Sequence, residues 1–124
     1  MQKTMKALVK ARRGYGNMEI REVPIPDPGD YDVLMRVWGS GICGTDVHIY
    51  QDHYKAYRDG LIIGHEFSAV VEKTGKKVTR VKPGDRVVSC LETPYGTMGN
   101  DCVNGCHAEY VVMPEHQVFV IPDS

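Results

Sequence analysis

The stretch Asp32-Val-Leu-Met-Arg-Val-Trp-Gly-Ser-Gly-Ile-Cys-Gly-Thr-Asp-Val-His48 decides how this chain is read. In an extended chain Val33, Met35 and Val37 fall on one face, and Leu34, Arg36 and Trp38 on the other. Both faces are partly apolar, so residues 32–38 are expected to form a central strand. Cys43 to Tyr50 reads as a short helix with Thr45 or Asp46 near its start. Between them, Gly39-Ser-Gly-Ile-Cys-Gly44 matches the dinucleotide pattern Gly-x-Gly-x-x-Gly, and Glu66 stands roughly where the fingerprint's acid would fall. That fingerprint needs a full helix and a second parallel strand ending at the acid. Here a loop holding His53, Tyr54, Tyr57 and Arg58 comes next, and Glu66 opens a strand. The match is therefore read as coincidental.

Outward from this stretch, strands are expected at Met5–Ala11, Met18–Val23, Phe67–Lys73, Val78–Val81, Arg86–Cys90, His107–Met113 and Gln117–Ile121. Turns at Gly14–Asn17, Gly75 and Lys82-Pro-Gly-Asp85 separate several of them, with Pro and Gly supplying the backbone geometry. Pro24, Pro26 and Pro28 make a rigid loop that cannot join a ladder. Residues 91–105 are glycine-rich and irregular. Short strands punctuated by turns predict a mainly β fold, a barrel or a sandwich, with short helices.

The chain has 124 residues, enough for one domain with a real core. Its net charge of −1 gives no electrostatic basis for binding nucleic acid or an anionic membrane. No apolar run approaches the ~20 residues of a membrane span. The start runs straight into a strand-like segment without a signal-peptide core, so a cytoplasmic location is expected. The four cysteines then point to metal binding, catalysis or burial rather than a disulfide framework.

Cys43, His65 and Glu66 offer a thiolate, an imidazole and a carboxylate, the ligand types of zinc. Taken singly, Cys43 and His65 read as a buried thiol and a loop histidine. Gly64 suits a tight backbone that aims His65, and Glu66 can bind a metal or hydrogen-bond the imidazole. Thr45 and His48 taken singly read as a helix cap and a solvated histidine.

Four motifs occur in order: Gly41-Ile-Cys-Gly-Thr-Asp-Val-His48, Gly64-His-Glu66, Lys82-Pro-Gly-Asp-Arg-Val87 and His107-Ala-Glu-Tyr110. On these the chain resembles the N-terminal catalytic-domain portion of the zinc-dependent medium-chain alcohol and polyol dehydrogenases, closest to the threonine and sorbitol dehydrogenase branch. The resemblance implies a GroES-like β-barrel over residues 1–124. It implies Zn2+ on Cys43, His65 and Glu66, and a proton relay through Thr45 and His48. The implied reaction oxidises a small alcohol or polyol by zinc-assisted deprotonation and hydride transfer to NAD(P). The Rossmann domain that binds NAD(P), and a further zinc ligand, would lie beyond residue 124, so the chain alone is expected to be inactive. The full enzyme would be a homo-oligomer.

The pattern departs from the family in the interval before Ala108-Glu-Tyr110. Many members carry four closely spaced cysteines there for a structural zinc, whereas this chain has Cys90, Cys102 and Cys106, which His107 could complete. A closed tetrahedral site wants four ligands, and three ordinary thiols is the reading adopted. Two other functions stay open: an L-threonine 3-dehydrogenase-like enzyme portion, and a GroES-like binding or assembly module without catalysis. The joint presence of Cys43, Thr45, His48, His65 and Glu66 favours an enzyme, because a scaffold does not need them. A zinc-free quinone reductase relative would normally lack the Cys43 thiol. Tyr50, His53, Tyr54 and Tyr57 could line a substrate pocket or form a half-buried surface loop.

Overall fold

The computed structural model describes residues 3–53, 58–94, 96–99 and 103–122. Tyr54, Tyr57 and Cys102 lie outside the described residues. The elements are β1 (Thr4–Lys10), β2 (Met18–Pro24), β3 (Asp32–Gly41), α1 (Gly44–Tyr50), β4 (Leu61–Ile62), β5 (Glu66–Thr74), β6 (Arg86–Ser89), β7 (Glu92–Thr93), β8 (Gly96–Thr97), β9 (Tyr110–Pro114) and β10 (Val118–Val120).

Five strands pair in the order β10-β6-β5-β3-β9, and three more in the order β2-β1-β4. Every ladder between these strands is antiparallel. The literal Gly-x-Gly-x-x-Gly therefore runs from the end of β3 into a seven-residue helix and leads to an antiparallel sheet. That is the mainly β architecture expected.

The expected central strand sits between β5 and β9, with Val33 and Met35 fully buried and Trp38 74% exposed. The main core lies on the buried face of the five-stranded sheet and includes Val33, Met35, Ala69, Val71, Val87, Val111, Met113 and Val118. Met5, Ala7 and Val9, alternate residues of β1, build a second cluster with Ile62. Ile49 of α1 packs with Leu61 and Ile63 in a third, and this packing seats the helix.

Several expectations are corrected. Val78–Val81 is not a strand. The Thr79 and Arg80 backbone N–H groups donate to the Glu115 carboxylate instead of a ladder, at 3.1 and 3.3 Å. Pro24 does join β2, at the end of an edge strand opposite Thr4, where its missing N–H costs no ladder bond. The strand expected from His107 begins only at Tyr110. Residues 91–105 contain a small hairpin, β7 with β8. β3 runs past Trp38 to Gly41, through an irregularity between Val37 and Gly39.

Lys10 is fully buried at the end of β1. Its Nζ donates to the carbonyls of Gly14 and Gly16, both at 2.6 Å, and of Tyr50 at 3.3 Å. A cation at the carboxyl end of α1 meets the negative end of the helix dipole. Burial lowers the Lys10 pKa, Asp52 opposes that shift, and Arg13 adds to it.

Candidate metal centre

The β3–β5 register builds the site. Gly41 pairs with Glu66, Ser40 with Phe67 and Gly39 with Ser68. In an antiparallel pair the chain leaving β3 and the chain entering β5 share one end of the ladder. Cys43, two residues past Gly41, therefore arrives beside His65, one residue before Glu66. The shift at Trp38 admits an extra residue on β3, bending the strand end as a bulge does.

The Cys43 Sγ lies 3.3 Å from His65 Nε2, and Glu66 Oε2 is 3.8 Å from the same nitrogen. One donor atom from each residue falls within 4.8 Å of the others. A thiolate and an imidazole on one tetrahedral zinc, with bonds of ~2.3 and ~2.0 Å, stand about 3.5 Å apart. The observed separation fits that span. His65 Nδ1 is buried without a hydrogen-bond partner among the described residues.

Cys43 is also the N-cap of α1. Its backbone N–H donates to Asp46 Oδ2 at 3.3 Å, an acid in the first turn closing a capping box. Thr45 is half-buried and His48 exposed. At i and i+3 they are neighbours on the helix surface. The structure thus gathers Cys43, His65 and Glu66 into one cluster, with Thr45 and His48 on the helix that Cys43 opens.

The contact between Asp46 and His107 is what sequence reasoning missed, and it engages the His107 ring that could have completed a second zinc site. His107 Nε2 meets Asp46 Oδ2 at 3.0 Å and its Nδ1 meets Ser40 Oγ at 2.9 Å. The ring also lies against the Gly64 backbone, where a Cβ would come within 2.7 Å of it and where φ is +102°. His107 thereby fastens the end of β3, α1 and the corner before His65 to one another. The available signal was Asp46 inside the cysteine motif, an acid able to hold a buried imidazole.

The cysteine-lobe candidates do not assemble among the described residues. Cys90 is exposed. Cys106 is fully buried in the main core, and its Sγ donates to the Glu66 carbonyl at 3.8 Å. Burial is the main cause that pushes its thiol up to about 12. Tyr50 lines a small apolar hollow with Leu8, Met18, Ile42, Val47 and Ile63, while His53 is exposed.

Residues 29–123 match the model of the alcohol dehydrogenase GroES-like domain. The chain belongs to that family. It is 41% identical to an L-threonine 3-dehydrogenase of Anaeromyxobacter sp. (strain K), over 96% of this chain and 40% of the relative. The matched stretch is 139 positions long against 124 residues here, so the relative carries residues in this stretch that this chain lacks. A Sinorhizobium meliloti 1021 protein named for a zinc-binding dehydrogenase and solved with NADP superposes with a TM-score of 0.82 at 33% identity, covering 98% of this chain and 40% of that one. A cobalt- and zinc-bound thermostable alcohol dehydrogenase of Pyrobaculum aerophilum superposes with a TM-score of 0.84 at 28% identity, over 98% and 43%. The chain thus spans about two fifths of the length of these proteins. No helix among the described residues is long and apolar enough to cross a membrane.

Proposed function

We propose that residues 1–124 are the GroES-like catalytic portion of a zinc-dependent alcohol or polyol dehydrogenase, with the Rossmann domain supplied by sequence outside these residues. The observation that carries this reading is the Cys43 Sγ to His65 Nε2 separation of 3.3 Å with Glu66 alongside. Cys43, His65 and Glu66 would hold Zn2+. The zinc supplies a Lewis acid that polarises the substrate hydroxyl and lowers its pKa. NAD(P), the hydride acceptor, belongs to the Rossmann portion.

The residues of this chain then handle the proton. The Thr45 hydroxyl accepts it from the substrate hydroxyl while donating its own onward. The His48 imidazole, exposed one helical turn further along, takes that proton and returns it to solvent. Asp46 fixes the first turn of α1, so Cys43 and Thr45 keep their relative positions. The substrate is read as a small secondary alcohol. The threonine dehydrogenase relative supports an amino-alcohol such as threonine as the specific case.

Zinc per chain, measured by elemental analysis on the purified protein and on Cys43→Ser, tests the reading. One zinc lost in Cys43→Ser is the expected result. Zinc that persists in the variant would move the metal to other thiols and overturn the assignment. No zinc in either sample calls for the same assay on the chain joined to its nucleotide-binding portion, and continued absence there would support the non-catalytic scaffold.

A further inference from the structure

We infer that His48 and His53 form a second cation site, distinct from the Cys43–His65–Glu66 cluster, for a borderline divalent transition metal such as Ni2+, Cu2+ or Zn2+. The turn after α1 is built to face the two rings. Gln51 caps the helix, and Asp52 takes a left-handed backbone with φ of 65°. That conformation is uncommon outside glycine. It is pinned from two sides: the Asp52 N–H donates to the Ile49 carbonyl at 3.1 Å, and Arg13 Nε donates to Asp52 Oδ1 at 2.6 Å. The chain folds back, and the His53 N–H reaches the His48 carbonyl at 2.8 Å.

The two Nδ1 atoms then stand 3.4 Å apart, with ring centroids 5.6 Å apart. Both nitrogens lie on the sides of the rings that face one another. At this length the pair is a long hydrogen bond between the two imidazoles, one nitrogen donating and the other accepting. Two imidazole nitrogens at ~2.0–2.1 Å from one tetrahedral cation stand about 3.4 Å apart, which matches the same separation. Both rings are exposed, so water can complete the coordination. Imidazole donors select copper, nickel and zinc over the oxygen-seeking Mg2+ and Ca2+.

A consequence follows for turnover, and it rests on the proposed role of His48 as proton relay. A cation on this imidazole competes with the proton the ring must take, so occupancy of the second site would slow the relay. The binding itself does not depend on that role.

The test is calorimetric titration of tag-free protein with Ni2+ at neutral pH, in a Cys43→Ser background. That background removes the thiolate of the other cluster, so whether Cys43 holds zinc does not affect the outcome. His53→Gln and His48→Gln are each expected to weaken Ni2+ binding at least tenfold. His116→Gln, an exposed histidine elsewhere, is expected to leave it unchanged. Circular dichroism on each variant confirms that it is folded. The site is overturned if the background binds no Ni2+, if only one of the two substitutions weakens binding, or if all three variants behave alike.

Discussion

His107 Nε2 stands 3.0 Å from Asp46 Oδ2, and the two side chains are only 8% and 5% exposed. They lie far apart in sequence, yet this contact ties the helix of the cysteine motif to the segment before β9. Asp46 Oδ1 is buried without a hydrogen-bond partner among the described residues, so the other oxygen carries the polar contacts of the carboxylate.

The first prediction concerns that pair. His107→Phe keeps a ring against Gly64 but removes the donor to Asp46. Removing one partner of a buried hydrogen bond costs about 1–3 kcal/mol. Urea unfolding is expected to show that loss. A double-mutant cycle with Asp46→Asn should give a coupling energy above about 1 kcal/mol. Additive effects would mean that the two residues act separately.

The corner before His65 gives a second prediction. A Cβ on Gly105 would overlap the Gly64 carbonyl oxygen and come within 2.7 Å of the Ile63 carbonyl carbon. These are backbone atoms, so the neighbours cannot simply rotate away. Gly105→Ala should destabilise by roughly 1–3 kcal/mol, the usual cost of overpacking. Gly44→Ala, whose Cβ would meet nothing within 4 Å, should be close to neutral. Thermal unfolding of the two variants side by side checks this. Equal midpoints would contradict the packing argument.

Thiol reactivity gives a third. Only the thiolate reacts with alkylating reagents. With its thiol pushed up to about 12 by burial, Cys106 holds a thiolate fraction on the order of one in ten thousand at pH 8. Brief iodoacetamide treatment followed by mass spectrometry should modify exposed Cys90 and spare Cys106. Unfolding the protein first should abolish the difference. Bound zinc should protect Cys43 as well.

The turn before β6 gives a pH dependence. Asp85 accepts the Lys82 backbone N–H at 3.0 Å and the Lys82 ammonium at 3.1 Å. These contacts, the backbone one foremost, hold its carboxyl below the ordinary 3.8. A depressed folded-state pKa gives stability that is fully present above the unfolded value and lost as pH falls through the folded one. Asp85→Asn should therefore flatten the stability curve below about pH 4 and cost about 1 kcal/mol at pH 7. An unchanged acid limb would show that this turn does not contribute.

Much of the site was legible because its donors are chemically distinctive. Cys43, His65 and Glu66 stand in short motifs whose residue types suit zinc, and the structure brings all three together. The strand at residues 32–38 was legible from alternation alone. Val78–Val81 misled because its apolar ends suggest a strand, while its backbone N–H groups are satisfied by the distant Glu115 carboxylate. His107 misled in the same way. It reads as the first residue of a strand, but its ring is drawn inward by Asp46 and Ser40.

The sequence by itself determined the strand-rich fold, several of the turns and the presence of metal-ligating residue types, because side-chain alternation, Pro-Gly geometry and side-chain chemistry are local properties. Only the tertiary structure decided that Cys43 and His65 meet. That depends on the register of β3 against β5, with its shift at Trp38. Register is a property of two strands at once, fixed by which faces are buried together, so neither segment carries it alone. The His107–Asp46 contact and the facing of His48 and His53 belong to the same class. Each arises where the folded backbone turns one residue toward another.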